Sequence, residues 1–134
     1  GKTIGAFCST PSPKITPYVL VNFTGKSRDV FTLAHEIGHA IHSISASGKS
    51  ILVSDASLPL AETASTFSEM LLYDKLSETV TKNEKKIMLS EKIDDFYATI
   101  GRQSFFTLFE IEAHKQIANS TTVNEISKTY LRNL

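Results

Sequence analysis

The sequence has 134 residues, 41% hydrophobic and 21% charged, which is the size and composition of one globular domain rather than of a disordered chain. Its 14 basic and 14 acidic side chains cancel, so no long-range field draws it to nucleic acid or to an anionic membrane. A lone cysteine excludes an intrachain disulfide, and no apolar run approaches the length of a membrane span.

In chain order, "IGAFC" (4–8) is short, apolar and compatible with a strand. "STPSPKITP" carries three prolines and reads as a loop, and "YVLVNF" (18–23) is β-branched and aromatic, a second strand. Together they predict a small hairpin or sheet, with Pro13 and Pro17 keeping it short or lying at its edge. Cys8 fits there as a small apolar residue, and a single thiol suits a cytoplasmic protein. The start lacks an initiating Met and a basic-then-apolar leader, which points to a processed chain or an excised piece. Two N-x-[ST] sequons, at Asn22 and Asn119, are read as chance.

A first helix is predicted from Ser27 or Arg28 to Ser45, with Ser27 as N-cap, Asp29 favouring the helix start and Gly48 as the stop. Val30, Leu33, Ala34, Ile37 and Ile41 supply its buried face. After a loop, Pro59 suits the first turn of a second helix running to Ser77. Ala61, Thr63, Ala64, Ser65 and Thr66 make this helix narrow, which gives the mid-helix Gly38 a reason: a close helix crossing. From Lys82 to Asn119 the pattern is one very long helix, or two joined near Gly101, with a broad apolar face. A last helix starts at Thr122, where Thr122 and Glu125 form a capping box. The fold class is therefore mainly α, several packed helices with a small N-terminal β-hairpin, and residues 1–134 read as a single domain.

"TGKS" between strand and helix suggests a phosphate-binding loop in outline, but position 20 is Leu where that loop needs its first glycine, so a nucleotide site is rejected. The chemistry lies in "TLAHEIGHAIHS". His35 and His39 stand four apart on a helix, so both imidazoles can reach one ion. Glu36 lies about 100° round the helix and need not ligate. It is placed to take a proton from a water on the same ion, the general-base role. The pattern predicts one Zn2+ per chain and no other cofactor.

A catalytic zinc needs a third protein ligand. His42 sits too far along the helix axis from His35 to share the ion, which places it outside the ligand set. The second helix offers Glu62 and Glu69, seven residues apart, of which only one can reach. Small neighbours allow close approach at Glu62, so it is preferred. Glu69, among Phe67, Met70 and Leu71, reads as a solvated charge, and Asp55 is a weaker third option.

"FTLAHEIGHAIH" followed by "LPLAETASTFSEMLL", together with "GAFC" and "PYVLVNFTGKSRDVFTLAHE", resembles the oligoendopeptidase F branch of the thimet oligopeptidase-like zinc metallopeptidases. The resemblance runs from Gly5 to about Leu72. It implies His35, His39 and Glu62 as zinc ligands and Glu36 as general base. It also implies a mostly helical fold around a channel, with short peptides as substrates. The strand at 18–23 is a candidate edge for pairing with substrate backbone. Members of that family are several times longer, so the resemblance points to a central catalytic fragment whose remaining polypeptide holds the tyrosine- and histidine-bearing oxyanion segment. Two outcomes are open at this stage: a zinc endopeptidase of short peptides, or a zinc-binding fragment without turnover.

Overall fold

The computed structural model describes residues 5–133, so Ile4 of the first predicted strand lies outside the described residues. The chain divides into two compact units, one up to Val80 and one from Thr81 onward. Both are dominated by helices, as the sequence pattern predicts, and none of the described helices is long and apolar enough to cross a membrane.

The first unit begins with strands β1 (Ala6–Ser9) and β2 (Tyr18–Val21), paired antiparallel with Phe7 opposite Leu20. Pro13 and Pro17 fall in the connection, where their missing N–H groups break no ladder. The Asn22 amide donates to the Gly5 carbonyl at 3.1 Å. Residues alternate between bonded and non-bonded pairs in an antiparallel ladder, so Val19 and Val21 turn their backbone groups to the outer edge of β2.

Helix α1 (Ser27–Ala46) follows. Its N-cap is Lys26, not Ser27. Asp29 displaces the serine from that role: its Oδ2 accepts from the Thr24 amide at 2.6 Å, the Thr24 hydroxyl at 2.8 Å and the Lys26 amide at 3.1 Å. These bonds, the Thr24 hydroxyl's foremost, hold the Asp29 carboxyl below its ordinary range. Nor is Gly48 the left-handed stop that its position suggests. The helix closes through right-handed Ser47, whose amide donates to Ile44, and the positive-φ glycines are Gly5 and Gly25.

Helix α2 (Leu58–Ser77) has Pro59 in its first turn, as predicted, and Ser57 at its N-cap. It packs against α1 at Gly38, the crossing that the sequence predicts, but the apolar face expected to be buried is not the one it covers. Val30, Ile37 and Ile41 stay exposed, while Gly38 and Glu36 are buried. The reason is steric. A Cβ on Gly38 would lie 2.7 Å from the Ser65 Cα and 2.8 Å from the Ala64 carbonyl oxygen. Contact through backbone is the closest crossing available, and it draws the interface round α1 toward the glycine and away from the isoleucines.

The second unit is α3 (Lys82–Ala118), one unbroken helix of 37 residues, and α4 (Val123–Asn133). Gly101 leaves α3 intact, with open space around it. Thr81 and Glu84 close a full capping box at the start of α3. At α4, Glu125 Oε2 accepts from the Thr122 amide at 3.0 Å and its hydroxyl at 2.8 Å, the predicted start. Ser120 turns the chain between the two helices at φ 55. Tyr130 packs edge-on against Phe105 and Phe109, each ring 5.2 Å away. Two helices cover only one stripe of each other. Ile87, Ile93, Tyr97, Ile100 and Leu108, part of the broad apolar face, therefore remain exposed.

Candidate metal centre

The crossing at Gly38 sets the geometry of the site. With no side chain between them, α1 and α2 bring His35, His39 and Glu62 to one point, their nearest ligand atoms all within 4.8 Å of one another. His39 Nε2 lies 3.2 Å from His35 Nε2. Glu62 Oε2 lies 3.3 Å from His35 Nε2, and Glu62 Oε1 3.8 Å from His39 Nε2. Four ligands placed tetrahedrally about 2.0–2.1 Å from zinc stand about 3.3–3.4 Å apart. The 3.2 and 3.3 Å separations match that edge, the 3.8 Å one is made by the other Glu62 oxygen and closes with a turn of the carboxylate, and two imidazoles with one carboxylate are a donor set of the right softness. The two rings meet edge to face, centroids 4.8 Å apart.

Glu62 is set by its own helix. The hydroxyl of Ser65, a fully buried residue, lies 3.0 Å from both the Glu62 Oε2 and the Glu62 carbonyl oxygen. Ser65 thus has two jobs, since its backbone also faces Gly38.

Glu69 is not the solvated charge expected from its bulky neighbours. Its side chain is only 18% exposed, and its Oε1 lies 2.7 Å from His35 Nδ1. Glu62 and Glu69 both face α1 because seven residues make two helical turns, yet they meet opposite nitrogens of one ring. The sequence signal was present, a second glutamate on the same face, but it was read as competition for the ion. The His35 ring is held above its ordinary pKa by the Glu69 hydrogen bond first, against the opposing effect of burial, with the charges of Glu69, Glu62 and Glu36 adding.

Glu36 is buried, at 8% exposure, and outside the three-donor group. It lies close enough to β1 to act on Cys8. Burial chiefly pushes the half-buried Cys8 thiol up, the Glu36 charge adds to this, and a hydrogen bond with Thr10 opposes it. His42 and Asp55 join neither group. They line an open recess with Leu60, Thr63 and Phe67, where the loop meets α2.

The sequence profile of peptidase family M3 matches residues 1–134. The chain belongs to peptidase family M3. M3 peptidases are metallopeptidases, and the matched relatives carry peptidase names. An oligoendopeptidase F homolog of Borreliella burgdorferi is 39% identical over 137 residues, covering 98% of this chain and 23% of its own length. The chromosomal oligoendopeptidase F of Lactococcus lactis subsp. cremoris is 37% identical, covering 86% of this chain and 19% of its own. The crystal structure of a candidate peptidase from Chlamydophila abortus superposes with a TM-score of 0.71 at 34% identity, over 96% of this chain and 22% of that one. This M3 chain thus spans about a fifth of the length of the relatives it matches.

Proposed function

We propose that this M3 chain carries the zinc centre of an oligopeptidase that hydrolyses short peptides, with His35, His39 and Glu62 as ligands to one Zn2+ and Glu36 as general base. The observation that carries the reading is the convergence of two imidazoles and one carboxylate: 3.2 Å between the two Nε2 atoms, 3.3 Å from His35 Nε2 to Glu62 Oε2 and 3.8 Å from His39 Nε2 to Glu62 Oε1, the first two matching the edge of a tetrahedron around zinc. The names of the relatives, oligoendopeptidase F above all, support peptides as the substrate class. A single thiol and balanced charge support a cytoplasmic setting.

Bound zinc supplies Lewis acidity, polarising a peptide carbonyl and lowering the pKa of water toward neutrality. The chain's own residues do the rest. Glu36 follows His35 on α1 and points off the ligand line, so its carboxylate is left to receive a proton from the attacking water and pass it to the leaving amine. Ser65 holds Glu62 in the ligand position.

The test is zinc stoichiometry with cleavage of a quenched oligopeptide, on the chain and on Glu36→Gln. The reading expects one zinc in both and hydrolysis lowered about 10²–10⁴-fold in the variant. Equal loss of zinc and activity would make Glu36 structural. A second reading, zinc binding without turnover, is favoured by the share of the relatives that the chain spans. Residues stabilising the oxyanion elsewhere in the longer polypeptide are worth roughly 10²–10³ in kcat. One zinc with no cleavage selects it.

A further inference from the structure

The proposed ligand set leaves one question about His35. A histidine ligand must present one chosen nitrogen, and an imidazole can turn about its Cβ–Cγ bond and carry its proton on either side. Here the Nδ1 side faces Glu69 Oε1 at 2.7 Å, and the Nε2 side faces His39 Nε2 at 3.2 Å and Glu62 Oε2 at 3.3 Å. A carboxylate can only accept, so Nδ1 must be the donor and carry the proton. That leaves the Nε2 lone pair of the neutral ring directed at the other two donors.

Resting on the zinc-site reading, we propose that Glu69 is a positioning residue whose carboxylate fixes His35 as the Nδ1–H tautomer and holds its Nε2 toward His39 and Glu62. Burial supports the role. A carboxylate at 18% exposure loses much of its hydration and needs a charge-bearing or hydrogen-bonding partner to remain ionised. The imidazole supplies that partner, and the short contact fixes both ring rotation and proton position. Glu62 and Glu69 sit two turns apart on α2, so one helix delivers both the carboxylate beside Nε2 and the one on Nδ1. The same helix steadies Glu62 through the Ser65 hydroxyl at 3.0 Å. A slide of α2 against α1 would move all three contacts together, so the crossing at Gly38 and the orientation of His35 are one mechanical unit. Removing the acceptor frees the ring to rotate and lets the proton sit on Nε2, where it blocks a metal.

The experiment compares the chain with Glu69→Ala and Glu69→Gln, folding being verified by far-UV circular dichroism. Zinc affinity is read by competition with a chromophoric chelator. The His35 tautomer is read in the metal-free chain from its ring ¹⁵N shifts, followed upward in pH until they stop changing and the ring is neutral. Loss of an outer partner of this kind weakens metal binding about 10–100-fold, and that loss is expected for Glu69→Ala, together with loss of the Nδ1–H preference. Glu69→Gln keeps an oxygen that can accept from Nδ1, so it should retain the tautomer and recover most of the affinity. A folded Glu69→Ala chain that binds zinc as tightly as the parent overturns the proposal. If Glu69→Ala does not fold, Glu69→Gln decides: loss of the Nδ1–H tautomer with a retained amide acceptor overturns it, retention upholds it. If the parent chain binds no zinc, the zinc-site reading falls. The tautomer still rules on Glu69, upheld when Nδ1–H is found in the parent and lost in Glu69→Ala, and overturned otherwise.

Discussion

Gly38→Ala probes the crossing on which the site depends. The added Cβ would stand 2.7 Å from the Ser65 Cα, 2.8 Å from the Ala64 oxygen and 2.9 Å from the Ser68 Cβ. Two of the three are backbone atoms, so no rotamer change relieves the clash. Restoring an ordinary carbon contact of about 3.5 Å requires the helices to part by about 0.8 Å. Overpacking of this kind costs about 1–3 kcal/mol, while replacing a mid-helix glycine by alanine returns about 1 kcal/mol. The net loss of stability is therefore about 0–2 kcal/mol, and the chain stays folded. The effect on the donors is larger in consequence. The 3.8 Å separation between His39 and Glu62 already exceeds the tetrahedral edge, and a shift of that size widens it further and takes the 3.3 Å one between His35 and Glu62 past the edge as well. Zinc affinity, measured by chelator competition beside a urea melt, should fall about tenfold or more with helix content preserved. A variant that binds zinc like the parent and is more stable than it would refute the reasoning, because the close approach would then serve neither packing nor ligation.

Three further outcomes are expected. Val21→Pro removes an outward-facing amide from β2 and leaves the β1 ladder whole, so if peptides pair with that edge, kcat/KM should fall about fivefold, the value of one hydrogen bond; unchanged kinetics would dismiss the edge. Glu84 and Glu125 lie below their ordinary carboxyl pKa because the Thr81 and Thr122 hydroxyls bond to them. Depressed folded values mean that their stabilisation is fully present above the ordinary 4.5 and is lost as pH falls through the folded values, so amides at the starts of α3 and α4 should exchange faster on acidification than those at mid-helix. Ser120→Gly relieves a left-handed serine at φ 55 and should stabilise the second unit by about 0.5–1 kcal/mol in urea melts; a destabilised variant would show that the serine side chain matters more than its backbone.

Helix positions were legible where punctuation and period agreed. Pro59 and the Thr122–Glu125 box located the starts of α2 and α4 in advance. The H-E-x-x-H spacing and the run of small residues around Glu62 brought together the group that the structure brings together. What the sequence hid was direction. Gly38 and the small residues of α2 pointed to the crossing, but periodicity, which groups Val30, Ile37 and Ile41, does not show that a contact through backbone leaves that face exposed. It places Glu62 and Glu69 on one side of α2, but the ring they share has two nitrogens, and only coordinates show each carboxylate taking its own. Ser27 lost the cap to Lys26 for a similar reason, since Asp29 reaches back to the Thr24 and Lys26 amides and fixes the helix start one residue earlier.

The α1–α2 hairpin also bears on how the protein assembles. Every residue in the histidine–carboxylate group lies between His35 and Glu69, 34 positions apart in the chain. Closing a loop of that size carries a modest entropic toll that grows only logarithmically with length, and contacts this local form early relative to pairings across a long chain. The hairpin can therefore gather its three donors while the rest of a growing polypeptide is still being made. An ion captured at that stage would act as a clasp on the nascent helices, so that metal supply would influence the yield of folded protein as well as its chemistry.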